Sequence, residues 1–506
     1  MPQRLTEVSR IILLAAALLG GTGACTVGPW YHKPNITPPD AWKTDIRQPP
    51  EANAPGATGA TSANAPGAAG TTSANAPLWP SSQWWRGFKS AQLDDLIAQA
   101  QKTNDDLAAA VARVREADAQ VKIAGAPLLP SLSVGGTATR ERTKPQGVSV
   151  VNGTPTQAAP VTFNQFAAQA TASYELDFWG KNLATRRSAY YAAQASRYDR
   201  ATVELTVMTS VATTYFQAME ANDRLTVAQQ DLETARTILK GLQTQQQFGI
   251  ANALDVAQEE TTVAALNASV PPLRQQLRQA VNALAILVGK APEAIEFPGG
   301  KLTELSEPQV LPGLPSELLA RRPDVASAEA QLVAANADIA AARAAFFPSI
   351  TLTADGGFES TALSGLFTPA NRVFALSGAL AQQIFAGGAL TGKYQLTKAR
   401  YTELLANYHK SVISAFGDVE NALSAVEQTA DQYQRQQDAV ASARRAYQFS
   451  EAQMRAGTVN VLTVLNTQSA LFSAEDQLVQ VRFAHLQALV QLFNALGGGW
   501  QKGLGA

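Results

Sequence analysis

This 506-residue chain is written twice. The segment "DLAAAVARVREADAQVKIAGAPLLPSL" from Asp106 and the segment "DVASAEAQLVAANADIAAARAAFFPSI" from Asp324 align without a gap and share ten of 27 residues. A second echo pairs "FGIANALDVAQ" at Phe248 with "AGTVNVLTVLN" at Ala456. A period of about 210 residues is too long for a solenoid and reads as a duplicated unit. Whatever fold the chain adopts, it must be built from two copies of one plan.

Each copy carries two strand candidates. In "SITLTADGGFE", Ile350, Leu352, Ala354 and Phe358 alternate with Thr351, Thr353, Asp355 and Glu359. "QFAAQATASYELDF" from Gln165 and "SLSVGGTATRE" from Ser131 alternate in the same way, and "RVFALSGALAQQIF" from Arg372 less cleanly. Period two over ~10 residues predicts strands with one apolar and one polar face. The same pattern marks membrane-barrel strands, apolar towards lipid and polar towards a lumen.

Each copy also carries a very long helix. Lys181 to Gln247 and Lys393 to Ala456 contain no proline and one glycine each, Gly241 and Gly417. At ~1.5 Å per residue each reaches on the order of 100 Å. Turns at Gly249 and Gly457 lead into second helical stretches ending near Leu287 and Leu496, and Pro271-Pro272 should kink or break the first of these. Helices of this length alone would describe an antiparallel coiled coil. The strands argue otherwise. Four strands are too few to close a barrel, which starts near eight, and an open edge is not tolerated in lipid. Closure by oligomerisation is expected, and a trimer supplies twelve strands. The fold class is then an α+β membrane protein, with a long α-helical barrel continuous with a β-barrel completed by trimerisation.

The only cysteine, Cys25, closes the stretch "ALLGGTGAC". Upstream lie Arg4 and Arg10, an apolar run from Ile11 to Leu19, and small residues from Gly20 to Ala24. This is the plan of an export signal, too short for a membrane span. It resembles the bacterial lipoprotein signal, although Thr22 stands where that signal favours leucine. A mature chain beginning at Cys25 and lipidated there follows. Several acyl chains hold a membrane well where one holds it weakly.

The expected organisation is a signal peptide (1–24), a lipid-anchored N-terminal segment (25–48), a low-complexity tether (49–77), a first repeat (78–300), a second repeat (301–500) and a tail (501–506). The tether rests on recurring "SANAPGA" variants, an Ala/Gly/Pro/Thr tract that buries too little to order itself. The aromatic cluster Trp79, Trp84, Trp85 and Phe88 restarts structure as a packing anchor.

Composition excludes other functions. Net charge is −1, so nothing favours nucleic acid. The three histidines, His32, His409 and His485, lie far apart and form no metal-ligand motif. No phosphate loop, nucleophile elbow or H-E-x-x-H is present, so neither an enzyme nor a cofactor other than the lipid on Cys25 is expected.

"CTVGPWYHKP", "WWRGF", "LPSELLARRPDVASAEAQL", "AAFFPSITL", "QQIFAGG" and "ALGGGW" together resemble the outer-membrane factor lipoproteins of tripartite efflux pumps, relatives of the TolC and OprM channels. The resemblance runs from Cys25 to Trp500, the tether excepted. It implies a homotrimer in the outer membrane, a periplasmic helical tunnel, and coupling to a periplasmic adaptor and an inner-membrane pump. The chain would serve as a passive exit duct for small molecules. The exit duct of a protein-secretion system, or a structural coiled-coil envelope lipoprotein, are the alternatives.

The resemblance also implies a gate where the helix hairpins turn. It places Asp255 in the first hairpin and Leu462 and Asn466 in the second, with Met454 before the turn and Arg482 on the returning helix. Asn466 stands where the family usually has aspartate, and Met454 where it often has tyrosine. A three-fold axis turns each inward residue into a ring; leucine rings block water and carboxylate rings collect cations. The alternative for each is a satisfied helix-surface residue. Gly180 and Gly387 mark the corners where the chain leaves the strands for the long helices.

Overall fold

The structure, a computed structural model, describes residues 27–44, 79–143, 160–309 and 312–501, with the backbone of 148–151 and 154–157. Cys25, the signal segment and the 49–77 tract lie outside the described residues. The chain divides into two units.

The first unit comprises residues 1–34, 115–194 and 329–406. Its centre is a four-stranded antiparallel sheet of β1 (Ser131–Thr143), β4 (Val161–Leu176), β5 (Ser349–Ser360) and β6 (Arg372–Ala381), in that order. A separate hairpin, β2 (Val148–Val151) with β3 (Thr154–Gln157), lies between β1 and β4 in the chain. Register fixes the faces. Val134 pairs with Ala170, Ala170 with Gly356 and Gly356 with Phe374, a row on one side. Ser133, Thr171, Asp355 and Ala375 make the next row on the other side. Leu132, Val134, Phe374 and Leu376 stand 74–85% exposed, an apolar surface that water would not favour. On the polar side Thr171 donates to Asp355 (2.6 Å) and Gln165 to Glu359 (2.7 Å). Among the described residues, the outer edges of β1 and β6 have no strand partner.

β4 begins four residues before the alternation starts at Gln165, and β6 stops at Ala381, short of Phe385. At the corner after β4, Gly180 takes φ 72°, and Asp177 caps the following helix by accepting from the amides of Asn182 and Leu183. Trp179 donates to the Pro348 carbonyl (2.9 Å) and stacks on Phe347 (4.7 Å). Gly387, after β6, takes φ 57°.

The second unit comprises residues 35–114, 195–328 and 407–506 and is helical. The helices of the chain are α1 (Ala91–Thr103), α2 (Asp105–Gly125), α3 (Lys181–Gln247), α4 (Ala253–Leu287), α5 (Pro323–Ala344), α6 (Ala389–Arg455) and α7 (Val461–Ala495), with short turns between them. The duplication is visible in their lengths: α3 and α6 have 67 residues each, α4 and α7 have 35. None is long and apolar enough to cross a membrane.

The aromatic anchor packs between α3 and α7 within this unit. Trp84 stacks on Phe493 of α7 at 5.0 Å, and Phe88 meets Phe216 of α3 edge-on at 5.0 Å. Arg322, half-buried, holds Asp324 (2.7 Å), Asp418 of α6 (2.9 Å) and the Ala495 carbonyl (3.3 Å). That gives the "ARRPDV" motif a tying role.

Pro271 and Pro272 do not break α4, which runs unbroken through them. Proline inside a helix costs a rung of the ladder. Here the flanking Val270 and Leu273 are buried against Ala228 and Leu225 of α3, and this packing holds the segment helical.

Candidate gate at the helix-hairpin tips

Both hairpins turn by the same chemistry. After α3, Gly249 takes φ 73°, its N–H donates to the Gln246 carbonyl and that of Ile250 to Gln245. After α6, Gly457 takes φ 71°, with bonds from Gly457 to Met454 and from Thr458 to Gln453. This is the glycine-terminated helix end in which a left-handed residue lets the last carbonyls find donors. Asparagine then restarts each helix. The Asn252 side chain accepts from the Asp255 N–H (2.9 Å), and that of Asn460 from Thr463 (3.2 Å).

Five sequence positions were expected to form the gate. Leu462 is the second residue of α7 and 42% exposed. Asn466 follows one turn later on the same exposed face, while Val464, Leu465 and Gln468 turn inwards. These two are brought together. Asp255 closes a capping box, its carboxylate accepting from the Asn252 N–H (3.2 Å). It is partly covered and serves its own helix end. Met454 is half-buried, and its carbonyl accepts from Gly457.

Arg482 stands apart. It lies 21 residues into α7, about 30 Å from the tip along the helix. It is buried, paired with Glu307, donates to the Leu305 carbonyl (3.2 Å) and covers the Tyr433 ring at 5.1 Å. These contacts describe a brace between α7 and the loop before α5, away from the tip residues. His485, one turn on, faces Glu307 at 3.6 Å and holds Thr429 of α6 at 3.0 Å. The neighbouring His485, and after it the Arg482 guanidinium, hold the Glu307 carboxyl down at about 2 against the opposing effect of burial.

Sequence reading missed two features. Leu254, 64% exposed, occupies in the first hairpin the place of Leu462 in the second, two residues after the capping asparagine. The aligned "NALDV" and "NVLTV" carried that signal. The other is a pair of polar residues in the seam. Val256, Glu259, Val263, Leu266, Val270 and Leu273 repeat at spacings of three and four, so Glu259 occupies a core position of α4. It is fully buried, and neither carboxyl oxygen has a hydrogen-bond partner among the described residues. Gln468 of α7, 1% exposed, is likewise unpaired at both amide atoms. Burial pushes the Glu259 carboxyl up to about 7, the nearby Gln468 amide drawing it back only in part.

The family described as outer membrane efflux protein matches the chain twice, over 96–290 and 314–498. The chain is an outer membrane efflux protein. It is 42% identical over 420 residues to the pyoverdine export outer membrane protein OpmQ of Pseudomonas aeruginosa, covering 83% of this chain and 88% of that protein. It is 33% identical to the toluene efflux pump outer membrane protein TtgF of Pseudomonas putida, covering 82% and 85%. It is 31% identical to the probable outer membrane lipoprotein SilC of Salmonella typhimurium, covering 82% and 88%. Among solved structures, the outer-membrane channel OprN superposes with TM-score 0.82 at 25% identity, covering 94% of this chain and all of that one. The open state of the Neisseria gonorrhoeae MtrE channel gives 0.79 at 28%, covering 94% and 99%.

As an outer membrane efflux protein the chain is a transport component and not an enzyme. The apolar row of its sheet faces lipid and the polar row a lumen. In this family member Arg482→Met is expected to lower stability by about 1–3 kcal/mol, less than a fully buried pair because Glu307 is 44% exposed. Ion selectivity should not change. Urea unfolding and single-channel recording of the variant check both halves.

Proposed function

We propose that three copies of this chain form a passive exit duct gated at the hairpin tips, loaded by an inner-membrane pump through a periplasmic adaptor. The observation that carries the reading is the sheet with two open edges. An unpaired edge in lipid leaves backbone groups unsatisfied at several kcal/mol each. Pairing β6 of one chain with β1 of the next removes every edge and gives twelve strands. The Leu462 side chains would then meet around the axis as a hydrophobic constriction, with those of Leu254 as a neighbouring set. The duct has no energy source of its own, so cargo is set by the pump that loads it.

The anchor is part of the same reading. Cleavage before Cys25 and lipidation of its thiol would tether residues 25–48 to the membrane, with the 49–77 tract as slack. Mass spectrometry of the mature N-terminus should find a lipidated Cys25; an unmodified Cys25, or a start downstream of it, contradicts this. Cys25→Ser should still yield inserted trimers, because the barrel supplies most of the membrane affinity.

For the function as a whole, cells lacking this chain but keeping pump and adaptor should accumulate a fluorescent pump substrate, and the full chain should reverse this. Unchanged accumulation would refute the reading.

A further inference from the structure

The sheet sorts its charges by side. Residues paired across an antiparallel ladder point to the same face, and so do residues two apart on one strand. The row Leu132, Ala172, Ala354 and Leu376 therefore fixes the lipid-facing side. By the same register Arg140, Arg142 and Arg372 lie on that side, and Glu141, Glu175, Asp355 and Glu359 on the lumen side. Every arginine of the four long strands faces lipid, and every carboxylate faces the lumen.

The arginines also share one end. Arg140 and Arg142 are in the last turn of the alternation of β1, and Arg372 is the first residue of β6, at the sheet end remote from the long helices. On β4 the apolar row runs from Phe166 to Leu176. Ten residues at about 3.4 Å, tilted by roughly 40°, rise about 26 Å, the height of an outer-membrane apolar band. On β1 the row Leu132 to Ala138 gives way to Arg140 and Arg142 one and two steps further on. By register Arg140 and Arg142 stand beyond the end of this row, level with Asn164 and Thr162, and Arg372 stands on its last rungs, level with Phe358 and Ala168. All three residues are exposed and have no ion pair or side-chain hydrogen bond among the described residues. The segments joining the strands at this end, 144–160 and 361–371, contain one charged residue, Lys144.

Long cationic side chains can reach water from such a position. A boundary offering only water would accept carboxylates as readily, and none is present on this side. A layer of anionic headgroups selects cations and rejects carboxylates. The guanidinium fork matches phosphate oxygens in a bidentate geometry that lysine lacks. We propose that Arg140, Arg142 and Arg372 form a site for phosphorylated lipid headgroups of the outer leaflet. Where trimers close, the β1 and β6 edges meet, so the three groups would flank each junction between protomers. That clause rests on the trimeric reading; the assignment of the arginines to the lipid side rests on the register alone.

The test uses the purified full chain and bisphosphorylated lipid A as probe, with bound lipid counted by native mass spectrometry. The parent should retain it, and R140Q/R142Q/R372Q should retain about fivefold less, with R140K/R142K/R372K in between. Lipid A stripped of phosphate should bind parent and glutamine variant equally. Should the triple variant fail to fold, R140Q and R372Q singly carry the test, each expected to lose about twofold. Equal retention of phosphorylated lipid by parent and variants overturns the proposal. So does an arginine-dependent thermal shift with inorganic phosphate alone, without lipid retention, which would make this a free-phosphate site. Conductance of the glutamine variant in neutral-lipid bilayers should match the parent, so that failure of the duct itself is seen separately.

Discussion

Leu462→Ala is expected to raise the single-channel conductance of the purified protein severalfold at unchanged ion selectivity. The side chain sits at the first turn of α7 and is 42% exposed in the single chain. In a trimer the substitution removes three isobutyl groups from one level of the pore. A hydrophobic constriction blocks by excluding water, and widening it restores a wetted path without adding charge. Asn466→Asp should act in the opposite sense. It changes shape little and adds three negative charges one turn away, where like charges in a narrow pore draw in counter-ions. Cation preference should rise, and trivalent cations added on the periplasmic side should block. Recordings of both variants give the comparison. If Asn466→Asp leaves selectivity and block as in the parent, residue 466 does not line the pore.

The second large effect belongs to Glu259. Its folded-state carboxyl titrates at about 7 against 4.5 for the free group, because burial disfavours the charge. The groups around it offer no cation in direct contact. On its own helix stand Asp255 and Glu260, on α7 Gln468, and on α6 Tyr447 and Glu451 with Arg455 further along. A raised acid binds more protons folded than unfolded. Its contribution to stability is complete below pH 4.5 and is lost as pH rises through about 7. The difference amounts to on the order of 3 kcal/mol per chain. Glu259→Gln keeps the shape and removes the titration. Its unfolding midpoint should stay level between pH 5 and 8, apart from other groups, while that of the parent falls. Parallel curves for the two proteins would show that Glu259 is ionised and paired in the fold. Glu307 has the opposite sign: held at about 2, it stabilises above pH 4.5 and fails as acid is added.

Much of the architecture was legible in the residues. Period two marked four strands because one face meets lipid and the other a lumen. The proline-free runs marked α3 and α6 because nothing in them could stop a helix, and Gly249 and Gly457 marked the turns because each needs a left-handed residue. The rest depended on what lies opposite. Pro271-Pro272 reads as a break in isolation, and only the packing of Val270 and Leu273 on α3 overrides it. Arg482 reads as a charged residue on a returning helix, and only the loop carrying Glu307 makes it a brace. Asp255 reads as pore charge or helix-surface residue, and the capping box with Asn252, present in the "NALD" sequence, makes it a helix cap. Glu259 could have been found from its seam spacing, since a carboxylate at a core position is unusual enough to notice.

The central claim is that this chain forms a water-filled duct closed at the hairpin tips. Planar-bilayer recording of the purified full-length protein tests it most directly. The account predicts discrete channel openings that are rare in the parent and frequent and larger in Leu462→Ala. A parent and a Leu462→Ala variant that both insert into the bilayer and both show no conductance at any voltage or pH would contradict it.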